Sequence, residues 1–239
     1  AAGLAAPGLT SDTIPVRLAE REEQIGDGPG AVTLATVRTP MSVVLERCNV
    51  DSDNLYAESL LKASGHKATG QPGSWANGTA VVRMQIRDRL GSDFASQLIM
   101  TDGSGLSRGN RVTPEMITRW LASLANDPDL GPTFVSSLPT VGEGTLRKRF
   151  KGAKLKCEIR GKSGYIREVR TLSGFVTEPE SGRRIAYSVL INDIPPGADA
   201  KSKEFHEDVV GIIDDYLAEQ TGLNSAKKNR DDSRERIGG

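Results

Sequence analysis

Two strand-like runs joined by a short polar turn constrain the fold of this chain more than any other feature. The runs cover Val169–Thr177 and residues 183–192, and both are rich in β-branched and aromatic residues. Pro179 and Gly182 lie between them, which is typical of a tight turn. The stretch from Cys157 to Lys162 leads into this pair. The sequence therefore predicts an antiparallel meander of about three core strands, with Lys162 on or beside an edge strand.

Helical segments precede the meander. Thr39 and Pro40 form a favourable N-cap and first-turn pair for a helix that continues through Cys48. A second helix opens with polar residues at Ser52 and carries apolar residues at helical spacing, namely Leu55, Leu60 and Leu61. Ser52 and Asn54 are therefore expected at a helix N-terminus.

Later helices follow the same reasoning. One is predicted from about Thr79 to Leu90, where Gly91 ends it, and residues 101–112 then form a turn rich in Gly and Ser. Thr113 and Pro114 begin another helix, with Ile117, Trp120, Leu121 and Leu124 on one face. A final helix is expected to cover the sheet with Phe205, Val209, Ile212, Ile213, Tyr216 and Leu217. The predicted fold class is α+β, an antiparallel sheet packed with helices.

The chain divides into three parts by composition. Residues 1–38 form a lead-in that contains Gly and Pro, with one possible short strand from Ala31 to Val37, and we interpret it as a remnant of an upstream region. Residues 39–223 form the main domain. Residues 224–239 are charged and poor in apolar side chains, so they are predicted to be disordered. No signal peptide is recognisable, no run is long enough to span a membrane, and the formal net charge of zero excludes no functional class.

Two triplets carry the chemistry. Ser52-Asp53-Asn54 offers a hydroxyl that can relay a proton and an amide that can hold a peptide group. Lys162-Ser163-Gly164 offers an ammonium, a hydroxyl and a backbone edge without a side chain. Each triplet alone is as compatible with a helix cap or a turn as with a site. Together they are typical of acyl transfer by a serine enzyme.

The context of the triplets is similar to the C-terminal part of a class C penicillin-binding protein, the D-alanyl-D-alanine carboxypeptidase/endopeptidase family. The resemblance runs from about Thr39 to Leu217 and includes four further stretches in the same order: Pro72-Gly73-Ser74-Trp75, Thr101-Asp102-Gly103-Ser104-Gly105-Leu106-Ser107, Gly144-Thr145-Leu146 and Leu172-Ser173-Gly174-Phe175. It implies a partial serine β-lactamase/transpeptidase-like fold. That fold has five strands, of which two come from the N-terminal side, so we expect an exposed sheet edge and a chain that is marginally stable or prone to aggregation.

The resemblance also implies a function and a set of roles. The chain is expected to belong to a serine-type carboxypeptidase or endopeptidase that acts on peptidoglycan stem peptides in the periplasm through an acyl-enzyme, and that binds β-lactams when complete. Ser52 and Lys162 would be catalytic, as proton relay and positive charge. The substrate-binding residues would be Asn54, Ser163, Gly164 and Tyr165, the last through its backbone N–H as half of an oxyanion hole.

The nucleophilic Ser-x-x-Lys motif is expected to be missing from this chain. The strings that begin at Ser59, Ser64 and Ser225 match the pattern by chance, because the family places the motif upstream of Ser-x-Asn on a separate helix. The chain alone is then inactive, as part of an enzyme. The alternative is a non-catalytic remnant that binds wall peptides.

Other candidate sites have simpler interpretations. Residues 147–170 hold ten basic and two acidic residues but few aromatic ones, which favours a solvated rim over a nucleic-acid surface. His66 and His206 lack ligand-spaced partners, so no metal or cofactor is expected. Cys48 and Cys157 are expected to be free thiols, with a disulfide as the minor alternative. Asp102-Gly103-Ser104-Gly105 is interpreted as a structural turn that flanks the cleft.

Overall fold

A three-stranded antiparallel sheet organises the fold. The computed structural model describes residues 38–237, with side chains through residue 222. The strands are β1 (Glu158–Ile166), β2 (Val169–Thr177) and β3 (Arg184–Ile191), in the order β1-β2-β3. The register places Lys162 opposite Ser173, and Ser173 opposite Ser188. The predicted meander is confirmed, with β2 at its predicted bounds and Lys162 on an edge strand.

Seven helices surround the sheet in the described part of the chain, and they follow in chain order. They are α1 (Met41–Val50), α2 (Asn54–Thr69), α3 (Trp75–Leu90), α4 (Ser92–Gln97), α5 (Pro114–Ala125), α6 (Gly131–Ser137) and α7 (Asp199–Ile237), and a 3₁₀ turn covers Gly144–Leu146. Thr113 caps α5 by accepting from the Met116 N–H, as predicted. Two predictions were wrong at helix starts. The N-cap of α1 is Pro40, without a side-chain cap, and α3 begins early because Ser74 and Asn77 form a capping box.

Helices cover both faces of the sheet. On one face, α7 and the segment before β1 bury Leu172, Val176 and Tyr187 of the sheet. On the other face, Phe175 packs with Leu121 of α5 and with residues of α6. Leu172, Val176 and Phe175 are at most 1% exposed. Each such side chain contributes about 1.5–3 kcal/mol through burial, so both layers stabilise the position of β1.

The final helix packs on the sheet with a different face from the one predicted. Phe205, Ile212 and Tyr216 are 53%, 69% and 53% exposed, whereas Val210 and Leu217 are buried. The reason is polar: two acidic side chains of α7 bind the segment before β1. The Asp214 carboxylate accepts from the backbone N–H groups of residues 156 and 157, and the Glu207 carboxylate accepts from Arg149 and the N–H of residue 150. These bonds fix which stripe of α7 faces the sheet.

Several predictions remain predictions. The lead-in, with its possible strand from Ala31 to Val37, lies outside the described residues, except for residue 38. The backbone of α7 is helical as far as Ile237, over most of the segment 224–239 for which composition predicts disorder. Within residues 38–237, β3 pairs with β2 alone, so the expected open edge is present there, and its effect on aggregation is untested. Among the described helices, none is long and apolar enough to cross a membrane.

Candidate active site

The two triplets meet in space. Lys162 lies in the middle of β1, and Ser52 lies in the short connection between α1 and α2. The Lys162 ammonium donates a hydrogen bond of 2.8 Å to Ser52 Oγ and another of 2.9 Å to the Ser163 carbonyl oxygen. Ser52 and Lys162 are 110 residues apart in the chain, so only the tertiary fold brings them together.

The turn at Ser52 is held in an unusual backbone conformation. Ser52 has a φ of +57°, in the left-handed region that residues with a Cβ seldom occupy. The next residue, Asp53, is the N-cap of α2, and its carboxylate accepts from the N–H groups of Leu55 and Tyr56. Such a cap contributes about 1 kcal/mol, comparable to the cost of one left-handed residue. The cap therefore compensates for a turn that directs Ser52 toward β1.

The electrostatic surroundings of Lys162 affect its protonation. Partial burial lowers the pKa of the Lys162 ammonium from its ordinary value, because desolvation disfavours the charged form. The neighbouring Cys48 thiol has a raised pKa, chiefly through its own burial. Cys48 and Cys157 are both free, as expected, and Cys157 is buried against α7. Lys162 thus combines a positive charge with easier proton loss than an exposed lysine.

The remaining predicted residues lie around this pair. Asn54 is the first residue of α2 and is exposed. Ser163 Oγ lies 3.5 Å from the Thr145 carbonyl oxygen, at the outer limit of a hydrogen bond. Gly164 packs closely on the next strand, because a Cβ there would be 2.4 Å from Thr171 Oγ1. The site therefore has two hydroxyls, an amide and an ammonium along one side of β1.

Tyr165 directs its ring away from Lys162. Residues three apart on a strand point to opposite faces, and the ring is stacked on the Arg170 guanidinium, 3.3 Å from its centroid. The Tyr165 backbone N–H has a different direction. Gly161 donates its N–H outside the sheet, to the Pro139 carbonyl oxygen. By alternation, the Tyr165 N–H also points to the outer edge of β1, where a ligand can reach it.

A cavity of about 750 Å³ extends from this site across the sheet. Its floor includes Thr171 and Ser173, the latter opposite Lys162 in the strand register, and its wall is the loop 102–111. Asp102 organises the loop by accepting from the Gly105 and Ser107 N–H groups. The expectation that this turn flanks the cleft is confirmed.

Glu58 is a structural residue of the site that the sequence did not reveal. Its carboxylate accepts from the Gly103 and Ser104 N–H groups and from the Trp75 indole, so it joins α2, α3 and the cavity loop. Desolvation raises the pKa of Glu58, but these hydrogen bonds outweigh it and lower the pKa to about 2. Glu58 lies four residues after Asn54, hence on the same helix face. No local pattern predicts its distant partners.

Comparison with known proteins identifies the family. The model of the D-Ala-D-Ala carboxypeptidase 3 (S13) family matches residues 19–216. The chain belongs to this family. Among its S13 relatives, a D-alanyl-D-alanine carboxypeptidase from Actinomadura sp. (strain R39) is 36% identical over 147 residues, which cover 59% of this chain and 26% of that protein. The D-alanyl-D-alanine carboxypeptidase DacB from Haemophilus influenzae is 31% identical over 167 residues, covering 69% of this chain and 34% of that protein.

The S13 fold is also recognisable among solved structures. The crystal structure of penicillin binding protein 4 from Haemophilus influenzae, in complex with a β-lactam, matches with a TM-score of 0.60 and 25% identity, over 73% of this chain and 42% of that one. The α+β fold of the penicillin-binding type is therefore confirmed. The chain spans 26% and 34% of the lengths of the two curated relatives.

Proposed function

We propose that this chain supplies one side of the acyl-transfer site of a serine D-Ala-D-Ala carboxypeptidase or endopeptidase, which acts on peptidoglycan stem peptides through an acyl-enzyme. The observation that carries the proposal is the 2.8 Å hydrogen bond from Lys162 to Ser52, which joins the two motifs. Membership of the S13 family supports the reaction class. A periplasmic location, and β-lactam binding by the complete protein, belong to the same proposal.

The side chains divide the chemistry between them. Ser52 relays the proton between the nucleophile and the leaving amine, and the Lys162 ammonium favours its hydroxyl as a proton donor. The charge of Lys162 also attracts the terminal carboxylate of the stem peptide, to which Ser163 donates a hydrogen bond. Asn54 binds the peptide backbone of the substrate through its side-chain amide.

The backbone of β1 supplies the remaining contacts. The outward N–H of Tyr165 is half of an oxyanion hole, where a donor stabilises the charge that develops on the carbonyl oxygen. Gly164 leaves the edge of the strand free of a side chain, so the substrate can lie against it. The other half of the oxyanion hole belongs to the nucleophile.

The nucleophile is, in this proposal, none of the Ser-x-x-Lys strings of the chain. Ser64 Oγ donates to the Leu61 carbonyl oxygen within α2. Ser59 is exposed on α2, and Lys62 lies over the Trp75 ring, 4.3 Å from its centroid, instead of serving as a base. Ser225 lies beyond the residues whose side chains are described. The chain alone is accordingly inactive.

Fluorescent penicillin tests the proposal on denaturing gels. We expect no covalent label on this chain, and label on a longer gene product that includes it. Covalent label on the isolated chain would refute the missing nucleophile. Absence of label on the longer product, together with binding of wall peptides, would favour the non-catalytic remnant.

Peptide affinity tests the site itself. The chain should bind a diacetylated Lys-D-Ala-D-Ala tripeptide more tightly than its L-Ala-L-Ala counterpart, by calorimetry. Lys162→Met should weaken this binding about tenfold, since it removes one charge-assisted contact. Lys67→Met, at an exposed lysine near the end of α2, is the matched control and should change nothing. Equal affinities of the Lys162→Met variant and the unaltered chain would contradict the assignment.

A further inference from the structure

Gly144 makes an unusually close backbone contact beside the site. It opens the 3₁₀ turn Gly144–Leu146 and has a φ of +42°. A Cβ at this position would lie 2.4 Å from the Val50 carbonyl oxygen and 2.8 Å from Val50 Cγ1. Real Cβ atoms do not approach other atoms below 3.0 Å. Only glycine therefore permits the observed contact between this turn and the end of α1.

The two sides of this contact lead to the two halves of the site. Val50 is the last residue of α1, two residues before Ser52. Thr145, the neighbour of Gly144, has its carbonyl oxygen 3.5 Å from Ser163 Oγ on β1. The turn thus lies between the segment that carries Ser52 and the strand that carries Lys162.

We propose that Gly144 is a positioning residue that sets the width of the cleft between Ser52 and Lys162. The absence of a side chain lets the end of α1 rest directly on the 3₁₀ turn, and the turn in turn rests on β1. The role in catalysis rests on the proposed function, but the spacing is a property of this chain and is measurable without a substrate.

The distances show why a single methyl group matters. To move from 2.4 Å to the 3.0 Å limit, the Val50 carbonyl oxygen or the turn must shift by about 0.6 Å. The atom that must yield is backbone, which cannot swing aside as a long side chain can. The Lys162–Ser52 hydrogen bond is 2.8 Å long and weakens beyond about 3.2 Å, so it tolerates only about 0.4 Å of that shift. Gly144→Ala is expected to open the cleft and break this bond.

Gly142 provides a matched control in the same loop. It also has a positive φ, +94°, but a Cβ there would have no atom within 4 Å. Gly142→Ala therefore reports the strain of a left-handed alanine without any contact to Val50. Gly144→Ala reports that strain together with the contact.

The titration of Lys162 provides the test, by NMR of the lysine side-chain nitrogens, with the Lys162 signal assigned through its loss in Lys162→Met. In the unaltered chain, burial lowers the pKa of Lys162. Gly144→Ala should raise the titration midpoint toward that of an ordinary lysine, because water enters the widened cleft, and Gly142→Ala should leave it unchanged. A crystal structure of Gly144→Ala should show the Lys162–Ser52 bond broken.

Two results would overturn the proposal. One is a Lys162 midpoint in Gly144→Ala equal to that of the unaltered chain, and the other is an equal shift in Gly142→Ala. If Gly144→Ala does not fold, Val50→Ala loosens the same contact from the other side. It should then shift the Lys162 midpoint upward, by less, and no shift would refute the role of the contact. Failure of the peptide to bind, with these shifts present, would count against the proposed function alone.

Discussion

Acidification is expected to destabilise this protein through His206, which lies on α7 at the interface with the sheet. The side chain is 0% exposed, and neither ring nitrogen has a hydrogen-bond partner among the described residues. Burial lowers the pKa of His206 to about 4, and the nearby Arg149 and Arg170 guanidiniums lower it further. Both arginines are themselves buried and form ion pairs, with Glu207 and Asp199, so they cannot move away.

The magnitude follows from proton linkage. The unfolded chain binds a proton at His206 with the ordinary pKa of 6.5, whereas the folded protein resists protonation until about pH 4. A depressed folded pKa gives stability that is present above pH 6.5 and is lost as the pH falls through this window. The full difference corresponds to about 3 kcal/mol, of which about 2 kcal/mol is lost by pH 5. This is a large part of the stability of an ordinary domain.

Urea unfolding at about pH 7.5 and pH 5 measures this loss. His206→Leu keeps a similar volume and removes the titrating group, so its free energy of unfolding should fall by about 2 kcal/mol less than that of the unaltered chain. His66→Gln, at an exposed histidine, is the control and should behave as the unaltered chain does. If His206→Leu shows the same decrease between the two pH values as the unaltered chain, the reasoning is wrong.

Two further predictions concern the packing around the site. Glu58→Gln should free the loop that it holds, destabilise the protein by about 1–3 kcal/mol and speed hydrogen exchange at the Gly103 and Ser104 amides; unchanged exchange there would contradict the role of Glu58. Gly161→Ala should cost about 1–3 kcal/mol in urea unfolding, because its Cβ would lie 2.7 Å from Tyr187 Oη; a neutral effect would show that the ring has room to move.

The sequence predicted the sheet better than the helices. Strands β2 and β3 are bounded by Pro179 and Gly182 and are rich in β-branched residues, so local chemistry defines them. The helices α4 (Ser92–Gln97) and α6 (Gly131–Ser137) have only six and seven residues, too few for a helical period to be recognised. The packing face of α7 depended on hydrogen bonds of Asp214 to a distant segment, which periodicity does not encode.

The candidate site divides in the same way. Ser52, Asn54 and Lys162 belong to short motifs whose chemistry is legible in the sequence, and the structure brings Ser52 and Lys162 into contact. Glu58 and Gly144 act through backbone groups far away in the chain, and such partners become visible only in the fold. Motifs therefore identified the chemistry, whereas the residues that hold the motifs in place required the structure.

The central claim is that Ser52, Asn54, Lys162 and Ser163 form one peptide-binding surface. An NMR titration of the chain with diacetylated Lys-D-Ala-D-Ala tests it most directly. The account predicts that the Asn54 side-chain amide, the Lys162 ammonium and the Ser163 and Tyr165 backbone amides shift together with one affinity, and that the L-Ala-L-Ala peptide leaves them unchanged. Shifts confined to another surface, or identical shifts with both peptides, would contradict it.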